Sequence, residues 1–141
     1  NKKLTSIPIS VTEEPCFSGL DFSINRLTVF PSELGAVTNL KSLNLSYNRI
    51  TKIEHFGKFP NLDYLDLSSN KITEIGDEIA ALKNLRHLNL KSNYSLENIS
   101  TRIFVLKNTL KVLNIKNTKF AKNKQAIQRL QENLPDTKVI Y

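Results

Sequence analysis

The sequence predicts an α/β solenoid, a short array of stacked repeats. Three observations carry this expectation. An eleven-residue frame recurs five times, with apolar residues at positions 1, 4, 6 and 11 and asparagine at position 9. Positions 4 and 6 lie two apart, so they share one side of a short strand, and position 5 points to the other side. Between frames, apolar residues recur at steps of three and four, the spacing of a helical turn. Each repeat thus supplies one half-buried strand and one short return, and a unit that small buries its apolar side only against a neighbour.

The first copy is Phe17, Leu20, Phe22, Asn25, Leu27, and the second is Leu40, Leu43, Leu45, Asn48, Ile50. The third is Leu62, Leu65, Leu67, Asn70, Ile72. The fourth is Leu85, Leu88, Leu90, Asn93, with Ser95 at the last apolar position. The fifth is Leu110, Leu113, Ile115, Thr118, Phe120. Starts are 23, 22, 23 and 25 residues apart. This L-x-x-L-x-L-x-x-N-x-L pattern resembles the leucine-rich repeat family over nearly the whole chain, in the short-repeat form of small bacterial members. The resemblance implies a curved right-handed solenoid, with a concave parallel β-sheet and short helices or turns on the convex side. It also implies a non-enzymatic scaffold that binds a protein or peptide on the concave face.

The side chain of asparagine both donates and accepts, so at position 9 it can satisfy backbone groups where the chain turns inward. Asn25, Asn48, Asn70 and Asn93 are expected to form a ladder, and Thr118 should end it weakly. The returns Leu27, Phe30, Pro31, Leu34, Val37 and Ile72, Ile75, Ile79, Leu82 share one spacing. The second return, with Ile53, Phe56 and Phe59, is one residue shorter. In the fourth repeat two extra residues, near Tyr94–Ser95 and Asn108–Thr109, predict small bulges, with Leu96 shifted into the apolar slot.

A single domain over residues 1–141 is expected. Leu4, Ile7, Pro8 and Val11 match the spacing of the first return, so residues 1–16 read as the back half of a repeat whose strand lies upstream or is lost. Residues 17–120 hold the five repeats. Residues 121–141 read as a cap: a helix over about 123–133, N-capped by Asn123 and stopped before Pro135, then an edge strand from Lys138 to Tyr141 with Val139 and Tyr141 on one side.

Composition excludes several classes. Of 141 residues, 40% are hydrophobic and 23% charged, values of a folded chain rather than a disordered one. No apolar run approaches the roughly 20 residues of a membrane-spanning helix. The one cysteine, Cys16, precludes an internal disulfide, and it is expected to be a buried free thiol. Four glycines leave little for a phosphate-cradling loop. His55 and His87 lie in different parts of different repeats, so no metal site or cofactor is expected. The neighbouring carboxylates Glu13–Glu14 and Asp77–Glu78 do not converge on one ligand. The acceptor patterns at Asn44, Asn93 and Asn98 are read as chance in an asparagine-rich chain. No catalytic residue is expected.

The variable strand positions nominate a binding band across the sheet: Tyr47, Tyr64, Asp66, His87, Asn89, Lys91, Val112, Asn114 and Lys116. Tyrosine is a favoured interface anchor, and charge along the band runs from acidic to basic. A second reading uses charge alone. Net charge is +7, and residues 71–141 carry thirteen Lys/Arg against six Asp/Glu, whereas residues 1–70 carry seven of each. Lys107, Lys111, Lys116, Lys119, Lys122, Lys124 and Arg129 would then attract a nucleic acid or an acidic partner, although no base-reading motif accompanies them. A third reading makes the chain the recognition part of a larger enzyme. A monomer is expected, in the cytoplasm or, after removal of a signal peptide, at a bacterial periplasm or surface.

Overall fold

The computed structural model describes residues 3–13 and 16–141. Six strands form one parallel sheet: β1 (Gly19–Asp21), β2 (Ser42–Asn44), β3 (Tyr64–Asp66), β5 (His87–Asn89), β7 (Val112–Asn114) and β8 (Lys138–Ile140). Register is uniform, with Leu20, Leu43, Leu65, Leu88, Leu113 and Val139 in one row. Each spacing of 22 to 25 residues therefore returns the chain to the same point one strand along. A second layer consists of 3-10 helices at Ser32–Ala36, Phe56–Lys58, Asp77–Ala81 and Thr101–Leu106. Between the layers lies the core, where Leu43, Leu45, Leu65, Leu67, Leu88 and Leu113 are at most 1% exposed. Truncating one such leucine to alanine costs roughly 2–5 kcal/mol. The fold is the α/β solenoid expected from the frame.

The returns are 3-10 rather than α-helical because each must close within a few residues. Val37, Phe59 and Leu82 each donate their N–H three residues back, to Leu34, Phe56 and Ile79. In the shorter second return, Phe30 packs edge-on against Phe56 and Phe59 at 5.3 and 5.4 Å. There neighbouring returns come so close that a Cβ on Gly35 would lie 2.5 Å from Lys58 Cβ. The extra residue at Asn108–Thr109 is absorbed where Leu110 donates to Leu106, four residues back, while Leu85 bonds Leu82, three back. Near Tyr94–Ser95 the other insertion bulges outward, and Leu96 fills the slot with 0% exposure. A short second sheet, β4 (Glu74–Ile75) with β6 (Asn98–Ile99), pairs these two coils on the helical side. The sequence frame does not anticipate it.

At the chain's end, α1 spans Lys124–Asn133, with the Asn123 side chain accepting the Ala126 N–H at 3.1 Å. Ile127 and Leu130 are buried against the last coil. The terminal strand stops at Ile140, so Tyr141 follows it and is 56% exposed. Two residues at the other end differ from expectation. Phe17 holds a frame position but is 40% exposed, and Cys16 is exposed rather than buried. Both precede β1, an edge of the sheet, so no neighbouring strand covers them on that side. Glu14 lies outside the described residues.

The ladder is complete from Asn25 to Asn93. The Nδ2 group of Asn48 donates to Leu45 of its own coil and Phe22 of the coil before, at 3.0 and 2.9 Å, while Oδ1 accepts from Leu27 at 3.0 Å. Asn70 repeats this with Leu67, Leu45 and Ile50, and Asn93 with Leu90, Leu67 and Ile72. Thr118 instead makes both its bonds within its own turn, to Ile115 and from Ala121. Position 8 is left-handed in every repeat: Ile24, Tyr47, Ser69, Ser92 and Asn117 have φ between 55° and 61°.

Two outcomes are expected from urea denaturation. Asn70→Ala leaves buried strand-end groups of two coils without partners and lowers stability by roughly 2–4 kcal/mol, at an unchanged slope. Ile24→Asn relieves a β-branched residue at positive φ and raises stability by about 1 kcal/mol.

Candidate functional site

The exposed face of the sheet is a regular surface to which each strand contributes in the same way. Position 3 forms a row, Tyr64 beside His87 beside Val112, set by the parallel register. The rings of Tyr64 and His87 are 6.0 Å apart and inclined at 38°. His87 Nδ1 stands 3.9 Å from an Asp63 carboxylate oxygen. Asp63 precedes β3, and the strand positions used to nominate the band begin one residue later. Lys138 was also missed: β8 places it next to Val112, which only the pairing of the final strand reveals.

Position 5 is committed to the scaffold. Asp21, Asn44, Asp66, Asn89 and Asn114 each accept, through Oδ1, the N–H of the residue two further on, at 2.8 to 3.2 Å. Nδ2 of Asn44 donates to Asp21 at 3.0 Å, and that of Asn89 to Asp66 at 2.9 Å. Asp66, Asn89 and Asn114 therefore face the surface but already hold the strand ends. Position 7 divides: Ser46 and Ser68 are buried, whereas Lys91 and Lys116 are exposed. Tyr47 is 63% exposed, and its left-handed backbone sets it at the rim beyond the strand rather than on the row. Of the nominated residues, the structure brings Tyr64, His87 and Val112 together, with Lys91 and Lys116 at the ends of the same strands.

Two groups titrate away from their ordinary values. Hydrogen bonding to Ser23 holds the Asp21 carboxyl below the usual carboxylate range against partial burial, with Asn44 adding to it. Burial pushes the Tyr64 hydroxyl up, and the charge of Asp66 and its hydrogen bond, 3.4 Å from the phenol oxygen, add to this. The seven second-half cations nominated by charge stand on different elements. Lys107 follows a helical return, Lys111 precedes β7, Lys116 lies beyond the end of β7, Lys122, Lys124 and Arg129 surround the cap, and Lys119 bonds Glu97 at 2.6 Å. Among the described residues no group of three or more His, Cys, Asp or Glu could hold a metal ion. No helix among them is long and apolar enough to cross a membrane.

The repeat geometry agrees with the comparisons. The description "Leucine Rich repeats (2 copies)" matches residues 38–81, and "Leucine rich repeat" matches residues 60–120. This chain is a leucine-rich repeat protein. No curated protein matches it by sequence. Among solved structures it is similar to a leucine-rich repeat protein of Leptospira interrogans, with 28% identity and a TM-score of 0.89, covering 99% of this chain and 35% of that one. It is similar in fold to an internalin of Listeria monocytogenes at 18% identity and a TM-score of 0.72, covering 96% of this chain and 37% of that one. The plant peptide hormone receptor RGFR1, solved in complex with RGF2, aligns at 25% identity and a TM-score of 0.63, covering 80% of this chain and 19% of that one. This leucine-rich repeat chain thus spans little more than a third of either bacterial relative.

The pKa directions give tests with defined signs. Tyr64 has a raised folded value, so it contributes stability below the unfolded tyrosine pKa that is lost as pH rises through the folded one. Phenolate absorbance of wild type minus Tyr64→Phe should show a tyrosine ionising above the ordinary value. Asp66→Asn should lower that midpoint in part, because burial is the larger cause. For Asp21 the folded value is depressed, so its contribution is present above the unfolded carboxyl pKa and is lost as pH falls through the folded one. In acid denaturation, Asp21→Asn should remove this loss.

Proposed function

We propose that this leucine-rich repeat chain is a non-enzymatic module that binds a protein or peptide on the exposed face of its sheet. One observation carries the reading. The row Tyr64, His87 and Val112 presents two rings and an aliphatic side chain in register on three successive strands. Around it, position 5 is engaged in bonds of the scaffold. The row is therefore the part of the face whose side chains do not fasten the strand ends; Tyr64 meets Asp66, and His87 faces Asp63, only at their polar tips. Rigid aromatic side chains lose little entropy on binding and favour interface centres. Asp63 at one end of the strands, and Lys91 and Lys116 at the other, would orient the partner by charge. The plant peptide hormone receptor RGFR1, solved in complex with RGF2, has a similar fold, which supports a protein or peptide partner. The bacterial proteins among the similar structures favour a bacterial source.

The test is affinity capture from lysate of the source organism, run with and without nuclease. Wild type is compared with a Tyr64→Ala/His87→Ala/Lys91→Glu variant of matched melting temperature. A protein held by wild type and reduced at least about tenfold with the variant is the expected result, since central aromatic anchors each contribute roughly 2 kcal/mol or more. Capture that survives the variant and fades with nuclease and salt would sink the reading and favour nucleic acid instead.

A further inference from the structure

Three cations, one from each of the first three coils, fall into one row. Arg26, Arg49 and Lys71 each follow a ladder asparagine, and all three side chains are exposed. Their N–H groups donate to Leu4, Leu27 and Ile50, one coil back in each case, at 2.8 to 2.9 Å. The three therefore stack in register, with neighbours on the order of 5 Å apart at the backbone. Beyond Lys71 the row ends, because the residue after the next ladder asparagine is Tyr94. Lys119 in the last coil is neutralised by Glu97 at 2.6 Å. Among the described residues no carboxylate lies within ion-pair distance of Arg26, Arg49 or Lys71. Like charges side by side on adjacent coils repel, so the free protein holds this row at a cost that an anionic partner would remove.

The same rim carries exposed apolar surface. Ile24 and Tyr47, two residues before Arg26 and Arg49, are 52% and 63% exposed, and Val29, three residues after Arg26, is 64% exposed. Thr28, Thr51 and Thr73 add exposed hydroxyls two residues beyond each cation. We infer that this rim is a second docking surface, separate from the row on the sheet face, and that it takes an acidic peptide segment with interspersed apolar residues. Carboxylates meet the cation row, where the forks of Arg26 and Arg49 suit bidentate pairing. Apolar side chains of the segment meet Ile24, Tyr47 and Val29. A sulfated or phosphodiester polymer would match the charge and leave those apolar side chains without partners. Single-stranded nucleic acid needs an aromatic platform at successive coils, and Ile24 and Ser69 flank Tyr47 at the equivalent positions.

The probe is a fluorescein-labelled peptide of repeating Glu-Glu-Leu, followed by anisotropy against the intact chain. An all-Glu peptide, heparin, oligo-dT and phosphatidylserine vesicles serve as the other arms. Binding of the Glu-Glu-Leu peptide should weaken with salt, and Arg26→Glu/Arg49→Glu/Lys71→Glu should reduce it at least about tenfold. The matched variant Lys107→Glu/Lys122→Glu/Lys124→Glu, with the same net charge, should change it less than about twofold. Equal losses in the two variants would mean that net charge alone binds the probe and would overturn the proposal. Equal or tighter binding of the all-Glu peptide, heparin, oligo-dT or the vesicles would overturn it as well. None of the substituted residues lies on the sheet row, so the sheet-face reading stands or falls separately.

Discussion

Every coil of this chain turns inward directly after its strand, and that turn buries backbone groups that strand pairing cannot reach. In three coils one asparagine amide, of Asn48, Asn70 or Asn93, meets the demand from both sides, donating to the strand-end carbonyls of two coils and accepting an N–H from the earlier one. A buried backbone group without a partner costs roughly 1–3 kcal/mol, so each asparagine fixes both the turn and the offset between coils. Leucine burial supplies the larger driving force but carries no direction. The ladder selects the uniform register from which the layers, the rows and the rim all follow.

Uniform register has a functional consequence. Side chains far apart in sequence but alike in frame position become neighbours, so a surface is written one residue per repeat. Tyr64, His87 and Val112 form a row for that reason, as do Arg26, Arg49 and Lys71. The same rule reserves some surface for the scaffold. Asp21, Asn44, Asp66, Asn89 and Asn114 look like a polar binding row and instead fasten the strand ends through their own Oδ1 atoms. Surface chemistry and scaffold chemistry alternate along each strand, and exposure alone does not separate them.

Charge shows the difference between counting and placing. Arithmetic along the chain assigns the basic excess to residues 71–141 and neutrality to residues 1–70. In three dimensions the second-half lysines scatter over both layers and the cap, and Lys119 is paired. The neutral half keeps Asp21 and Asp66 on the sheet and sends Arg26 and Arg49 to the rim. Frame position, rather than position along the chain, decides which charges meet.

The frame residues by themselves determined the solenoid, because period-two apolar pairs and a recurring asparagine have one economical solution once stacked. Leu96 taking the slot lost at Ser95, and Asn123 capping α1, were also readable, since each depends on local spacing and side-chain chemistry. Other features arose only between coils. The pairing of β4 with β6 and the close approach at Gly35 depend on how neighbouring returns meet. The exposure of Cys16 and Phe17 depends on whether a coil covers them, which hydrophobicity does not report. The left-handed turn at Ile24 and Tyr47 is imposed by the repeat, which has it at the same position in every coil, on residues that do not favour it. That turn, more than any local preference, carries Tyr47 off the sheet face and onto the rim.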